Sequence, residues 1–303
     1  MNTETTMQTP VEARSADGVA IPTDVKPPAL IYWLLQPALL VFLYLAATET
    51  VPGIGLYIAL LAGFAVLTLG ERIWPARREW TQTGVEWLQV LGMFVISALA
   101  LLIVEIAGSF APGDRLQAVR DAVTDVWPSG LPFALQVALM FFMLQFMAYW
   151  LHRWQHESGL WWRTFGHGTH HTYTKLSAIN WNTAHPFEAV PLVLPPFLLA
   201  LLTGLGDVIV IAVAMGMMIA ACAHANLRLN ERGIGYLVTT NSQHMQHHSA
   251  DFAESQTNYG CSTTLWDRVF GTFSTRETAA LGDPMDGKRT IWRRLTVPLR
   301  RPG

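Results

Sequence analysis

The sequence predicts an all-α protein that crosses a membrane several times and carries a histidine-rich helical cap on one face. Three observations predict it. First, 51% of the chain is hydrophobic and only 14% charged, and the apolar residues gather in blocks near the roughly 20 helical residues that span a bilayer. Second, the ten histidines all lie between His152 and His248. Third, when the apolar blocks are alternated across a membrane, every histidine falls on the same side.

In chain order, residues 1–28 are polar, with scattered Thr, Glu and Pro, and read as a disordered cytosolic tail. They lack the basic start and apolar core of a secretory signal. Ala29–Ala47 is the first apolar block, with Tyr32, Trp33 and Tyr44 as interface or packing aromatics. A turn at Pro52 and Gly53 leads to the second, Ile54–Leu69, after which Arg72, Arg77 and Arg78 form a basic loop around Pro75. Val85–Ser109 is the third block. Residues 111–130, with Asp114, Arg115, Arg120, Asp121 and Asp125, read as a short amphipathic helix or loop outside the bilayer. Leu131–Trp150 is the fourth, and its helix is expected to run out of the membrane to present His152 and His156. Ala189–Leu202 and Val208–Ala223 form a hairpin around Gly204, Gly206 and Asp207, either two tight spans or a re-entrant pair. The reading is therefore about four transmembrane helices plus a short hairpin pair under a cytosolic helical cap. The corresponding divisions are 1–28, 29–128 for the N-terminal transmembrane helices, 129–275 for the histidine-bearing domain, and 276–303 for a basic C-terminal tail.

Orientation follows from the basic loops. The cluster Arg72, Arg77 and Arg78 and the tail with Lys288, Arg289, Arg293, Arg294, Arg300 and Arg301 belong on the cytoplasmic side. Both termini are then cytoplasmic, and so are residues 151–188 and everything from His224 onward. Arg115 and Arg120 fall outside, among acidic neighbours.

The histidines are spaced as ligands. His152 and His156 make HxxxH; His167, His170 and His171 make HxxHH; His244, His247 and His248 make a second HxxHH. Residues three and four apart share a helix face, so each box aims its imidazoles at one point. A lone histidine is ordinarily a core or surface residue, and one such pair is weak evidence. Three boxes that, with the single His185 and His224, use every histidine are specific. Ten donors exceed the four a tetrahedral zinc takes, so two metals suit the supply better.

Little else competes. A net charge of −2 gives no nucleic-acid footprint, so no nucleic-acid partner is expected. Cys222 and Cys261 form neither a disulfide framework nor a ligand-spaced pair. No sequence repeat or GxGxxG, P-loop or GxSxG context appears. Glu157, Glu188, Asp251 and Glu254 stand near the boxes and are candidates to orient imidazole N–H groups, with the plain surface-acid reading as good for Asp251 and Glu254. Asn226 reads as a site hydrogen-bonder or a helix cap, Asp267 as a fold-fixing residue, and Trp161, Trp162 and Trp181 as an interface belt.

At these residues the chain resembles the fatty acid hydroxylase superfamily of integral membrane proteins, also called the sterol desaturase family. The likeness covers roughly 130–275 and rests on HRWQH, HGTHH, AHPFE with His185, HANL with His224, and HMQHH. It extends to NYG at Asn258–Gly260 and LWDRVFGT at Leu265–Thr272. The resemblance implies a histidine-ligated di-iron centre, with zinc as a substitute ion in purified protein, that uses O2 to hydroxylate or desaturate a lipid such as a fatty acyl chain or sterol. It makes His152, His156, His167, His170, His171, His185, His224, His244, His247 and His248 the ligand candidates. It also implies electrons from a separate reductase or ferredoxin-like protein. Attack on an unactivated C–H bond is beyond side-chain acids and bases, which agrees. A metal transporter or other non-redox metal-binding membrane protein is the alternative. The histidines sit outside the spans, whereas a transport path needs polar groups near the midplane; Gln36, Gln136 and Gln145 are uncharged and Glu105 is peripheral. A hydrolase using zinc-bound water is a third reading.

Overall fold

The computed structural model describes residues 25–49, 54–110, 117–282 and 290–296. The tail read at 1–28 lies outside them up to residue 24. So do Pro52 and Gly53, Asp114 and Arg115, and Lys288, Arg289, Arg300 and Arg301.

Six helices are long and apolar enough to cross a membrane. In our numbering they are α1 (Ala29–Glu49), α2 (Ile54–Ile73), α3 (Gly84–Ser109), α5 (Phe133–Glu157), α7 (Ala189–Thr203), which reaches spanning length together with the 3₁₀ turn Pro186–Glu188 before it, and α8 (Gly206–His224). The protein is an all-α, multi-pass membrane protein. The hairpin read as two tight spans or a re-entrant pair is two helices of spanning length, α7 and α8. Between α3 and α5 lies α4 (Gln117–Val126), with no buried residue. Arg120 on α4 donates from Nε to Leu201 O at 2.8 Å, satisfying a carbonyl that the end of α7 leaves without an intrahelical partner. That is the work of one arginine on the side where basic residues were not expected.

α8 is the most enclosed span. Its Ala212, Ala214, Gly216, Ala220, Ala221 and Ala223 are small, which lets neighbouring helices approach closely where lipid offers no hydrophobic drive. The approach is tight enough that a Cβ at Gly63 of α2 would stand 2.3 Å from Met218 Cε. Leu30, Leu34, Leu61, Leu88, Leu99 and Ile103 on the outer helices stay exposed, as a lipid-facing surface requires.

The polar residues in the spans tether loops. Gln36 Nε2 donates to Thr239 O at 3.2 Å, and Gln136 accepts from Trp127 Nε1 at 2.8 Å. Glu71, unremarked in the sequence, is buried at the end of α2 and accepts from the backbone N–H of Ala178 and Asn226 at 3.0 and 3.1 Å. Asn226 in turn exchanges two hydrogen bonds with the Arg77 backbone. These bonds hold the Arg72–Arg78 loop, the end of α8 and the chain after the second histidine box together at one end of the bundle.

Candidate metal centre

α5 runs past Trp150 to Glu157, so His152 and His156 are carried on its last turns as expected. The next turns are short. Ser158 opens α6 (Gly159–Phe165), and Gly166 closes it with φ +72°, where a Cβ would stand 2.5 Å from the His185 ring. Glycine is required there. The second box, His167–Thr172, is a tight 3₁₀ turn rather than an α-helix. The third rides on α9 (Asn241–His247), whose start is fixed by Gln243 Oε1 accepting from Thr240 N at 2.9 Å. His224 ends α8.

These elements bring nine of the ten histidines into two groups: His152, His156, His167, His171 and His247 in one, and His170, His224, His244 and His248 in the other. Each HxxHH box is divided between them. Its first and last histidines go to one group and its middle one to the other, so the expectation that a box converges on one point is corrected. The groups adjoin: the His171 and His248 rings stack with centroids 4.4 Å apart. His185 joins neither. Its Nε2 donates to Leu295 O at 3.2 Å and its Nδ1 accepts from Phe187 N.

Within the first group, Nε2 of His167 lies 2.9, 3.0 and 3.1 Å from Nε2 of His152, His156 and His171; His156 and His171 are 3.1 Å apart, and so are His247 and His152. In the second, His224 Nε2 lies 3.2 Å from that of His170 and 3.0 Å from that of His244, with His248 3.1 Å from His244. An imidazole nitrogen has one in-plane lobe and cannot hydrogen-bond around a triangle such as His156, His167 and His171.

The opposite nitrogens settle what these contacts are. His152 Nδ1 is 2.6 Å from Tyr259 O and His247 Nδ1 is 2.9 Å from Thr257 O. Carbonyls only accept, so both Nδ1 atoms carry the proton and both Nε2 atoms, 3.1 Å apart, present lone pairs. The same holds for His224, whose Nδ1 donates to Ala220 O at 2.8 Å, facing His170, whose Nδ1 lies 3.4 Å from Thr183 O. Protonation does not relieve the repulsion. Burial pushes His167 down to about 3 and His170 to about 4; burial and facing imidazoles hold His171, His244, His247 and His248 well below the ordinary histidine value. Lone pairs about 3 Å apart with no proton between them suit a shared cation, since ligands about 2.1 Å from an ion and at right angles stand about 3 Å apart. The residues present fit two ions held by imidazole.

Around the rings, Glu188 is the one candidate carboxylate that meets a box histidine, accepting from His167 Nδ1; both side chains are buried. Glu157 pairs instead with Arg153 at 2.7 Å, and Glu254 accepts from Ser249 Oγ at 2.7 Å. Asp251 accepts from Ala253 N at 2.8 Å. Trp162 is no interface residue. It is buried at 1% exposure and packs on the rings of His156, His167 and His171.

The segment after the third box fixes the carbonyls that hold His152 and His247. Asn258 adopts φ +53°, tolerable for Asn, and its side chain bonds Gln243 O, Ser274 O and Ser274 N. Asp267 accepts from Tyr259 N, Gly260 N and Thr272 Oγ1 at 2.8, 2.9 and 2.7 Å. A Cβ at Gly260 would overlap Thr263 O at 1.9 Å. This function of the tail motif had no signal in the histidine spacing.

Residues 137–272 match the family model described as fatty acid hydroxylase. The chain is also 26% identical over 217 residues to the ornithine lipid hydroxylase OlsE of Rhizobium tropici, a match that takes in 70% of this chain and 65% of the relative, so the aligned region falls just short of two thirds of that protein. No solved structure matches.

Proposed function

We propose that this chain, which belongs to the fatty acid hydroxylase superfamily, is a membrane lipid hydroxylase or desaturase with two iron ions held by nine histidines. His152, His156, His167, His171 and His247 hold one ion and His170, His224, His244 and His248 the other; His185 supports the chain around them. The observation that carries this is the facing of unprotonated Nε2 atoms 3.1 Å apart between His152 and His247, in a site too buried to protonate. Bound iron supplies the redox chemistry that lets O2 oxidise an unactivated C–H bond. In hydroxylation one oxygen atom enters the lipid and the other leaves as water, with two electrons from a separate reductase or ferredoxin-like protein.

The chain's own residues do the positioning. Tyr259 O, Thr257 O and Ala220 O keep His152, His247 and His224 in the tautomer that directs Nε2 inward. Glu188 holds His167 and strengthens it as a donor. Trp162 covers one side of the first group and excludes water. The spans deliver lipid laterally, while the cap, on the cytoplasmic face in our reading, receives the soluble electron donor.

Similarity to an ornithine lipid hydroxylase makes an amino-acid-bearing lipid the first substrate to test. Lipids from oxygenated host cells expressing the native chain or His244→Ala are compared by mass spectrometry. A lipid gaining one oxygen only with the native chain is the expected result, and loss of two hydrogens marks desaturation. Identical lipids in a host supplied with ornithine lipid and a reductase would move the reading to a non-redox metal protein.

A further inference from the structure

A polar site lies apart from the histidines. The short helix α10 (Leu265–Phe270) lies along α5: Trp266 Nε1 donates to Phe142 O at 3.2 Å, the Phe146 and Trp266 rings meet edge-on at 4.9 Å, and Phe270 stacks on Tyr149 at 5.4 Å. α5 is of spanning length, and these contacts run along it from Phe142 near its middle to Tyr149, one turn short of His152. Val269 and Phe270 remain exposed there, as do Tyr236 and Leu237 on the adjoining loop. An exposed apolar edge against a span suits the interfacial layer of a bilayer.

Arg268 of α10 packs over Phe273 at 3.6 Å and Tyr236 at 4.1 Å. With Arg232 and Arg276 it lines a cavity of about 240 Å³. The two acids in the lining are already engaged, Glu231 and Glu277 lying 3.1 and 2.8 Å from Arg228. Among the described residues, Arg232, Arg268 and Arg276 form no ion pair. Three buried polar atoms of the same lining have no hydrogen-bond partner: the donors Arg268 Nε and Ser242 Oγ and the acceptor Glu231 Oε1, the last lying within ion-pair distance of Arg228. Three unpaired guanidinium groups and two orphaned donors around one cavity ask for an anion with several acceptor oxygens.

We propose that this cavity binds the anionic headgroup, a phosphate or carboxylate, of a membrane lipid. The apolar edge beside it favours a lipid over a soluble anion or an acidic protein: acyl chains meet Tyr236, Leu237, Val269 and Phe270 while the headgroup meets the arginines. The site stands independently of the metal centre, and its test needs no turnover.

Full-length protein in neutral detergent is titrated with dioctanoyl phosphatidic acid or dioctanoyl phosphatidylcholine, and bound lipid is counted by native mass spectrometry. The acidic lipid is expected to bind at a single tight site. Arg232→Gln and Arg276→Gln should each weaken it about fivefold, the size of one surface arginine's attraction to an anionic lipid. Both arginines are exposed, so these variants keep the fold; Arg268→Gln is expected to weaken binding further, with the thermal midpoint as its folding control. Equal affinity for phosphatidylcholine, or unchanged binding in the Arg232→Gln/Arg276→Gln double variant, would overturn the proposal. Displacement by equimolar inorganic phosphate would overturn it in favour of a soluble-anion site. Unchanged lipid binding with slower reduction by an acidic electron carrier would reassign the arginines to protein docking.

Discussion

The two histidine groups are built from one side chain and differ in what lies behind it. In the first, Nδ1 of His152, His167 and His247 is held by Tyr259 O, the Glu188 carboxylate and Thr257 O; at His156 Nδ1 the group 3.3 Å away is instead the Gln256 amide nitrogen, a donor rather than an acceptor. In the second, His224 relies on Ala220 O of its own helix and His170 on a long 3.4 Å contact. His244 and His248 have buried Nδ1 atoms with no partner. Outer partners fix ring orientation and ligand basicity. On the proposed two-ion reading, the first group is therefore preorganised and the second depends more on its ion to order it. In a pair of neighbouring ions this makes the second the more exchangeable.

The largest test of the comparison removes a ligand from each group. His167→Ala and His244→Ala should each lower bound iron from two per chain to one and abolish lipid oxidation, read by elemental analysis and lipid mass spectrometry. A chelator should then strip His167→Ala, which keeps only the second group, faster than His244→Ala. Loss of both ions in either variant would show that the His171–His248 stack ties the groups into one unit. Full activity in either would sink the assignment.

A smaller effect is expected behind the first group. Glu188→Gln keeps the shape but withdraws the carboxylate from His167, and a partner of this kind is worth about 10- to 100-fold in metal affinity. The loss should appear in the first group alone, most cleanly when the substitution is made on the His244→Ala background. Equal weakening when it is made on the His167→Ala background would remove Glu188 from its positioning role.

Much of this was legible in the sequence, and the limits have physical causes. Long apolar blocks and the clustering of histidines are local signals, and they located the spans, the helix running on to His156 and the ligand candidates. The division of each HxxHH box was not legible, because spacing reports which residues share a turn but not which distant ring they will meet. His170 finds His224, 54 positions away. His185 could not be separated from the others by composition. The tautomer-setting groups are backbone carbonyls, which every residue has, so Tyr259 and Thr257 carry no sequence mark; only the NYG and WDxxFGT motifs hinted that the segment mattered. Trp162 was misread because a tryptophan near a span has the same sequence signature at an interface and in a core.

The finest test uses acid. Burial depresses His167 to about 3 and His170 to about 4, against about 6.5 in an unfolded chain. A depressed value means that the folded chain keeps these rings neutral while the unfolded chain takes up protons. Their contribution to the stability of metal-free protein is thus fully present above pH 6.5 and is lost as pH falls, through about 4 for His170 and about 3 for His167. Each such histidine changes stability by about 1.4 kcal/mol per pH unit between its two values. Chelated protein should therefore melt at a lower temperature at pH 5.5 than at pH 8. The same ordering applies to bound metal, because a proton on Nε2 competes with the ion. His167→Ala, left with the second group, should release its ion at a higher pH than His244→Ala, left with the first. Release in the reverse order, followed by elemental analysis across a pH series, would mean that the unpartnered Nδ1 atoms of His244 and His248 do not weaken their group, and that the preorganisation drawn from the hydrogen bonds does not govern how tightly each ion is kept.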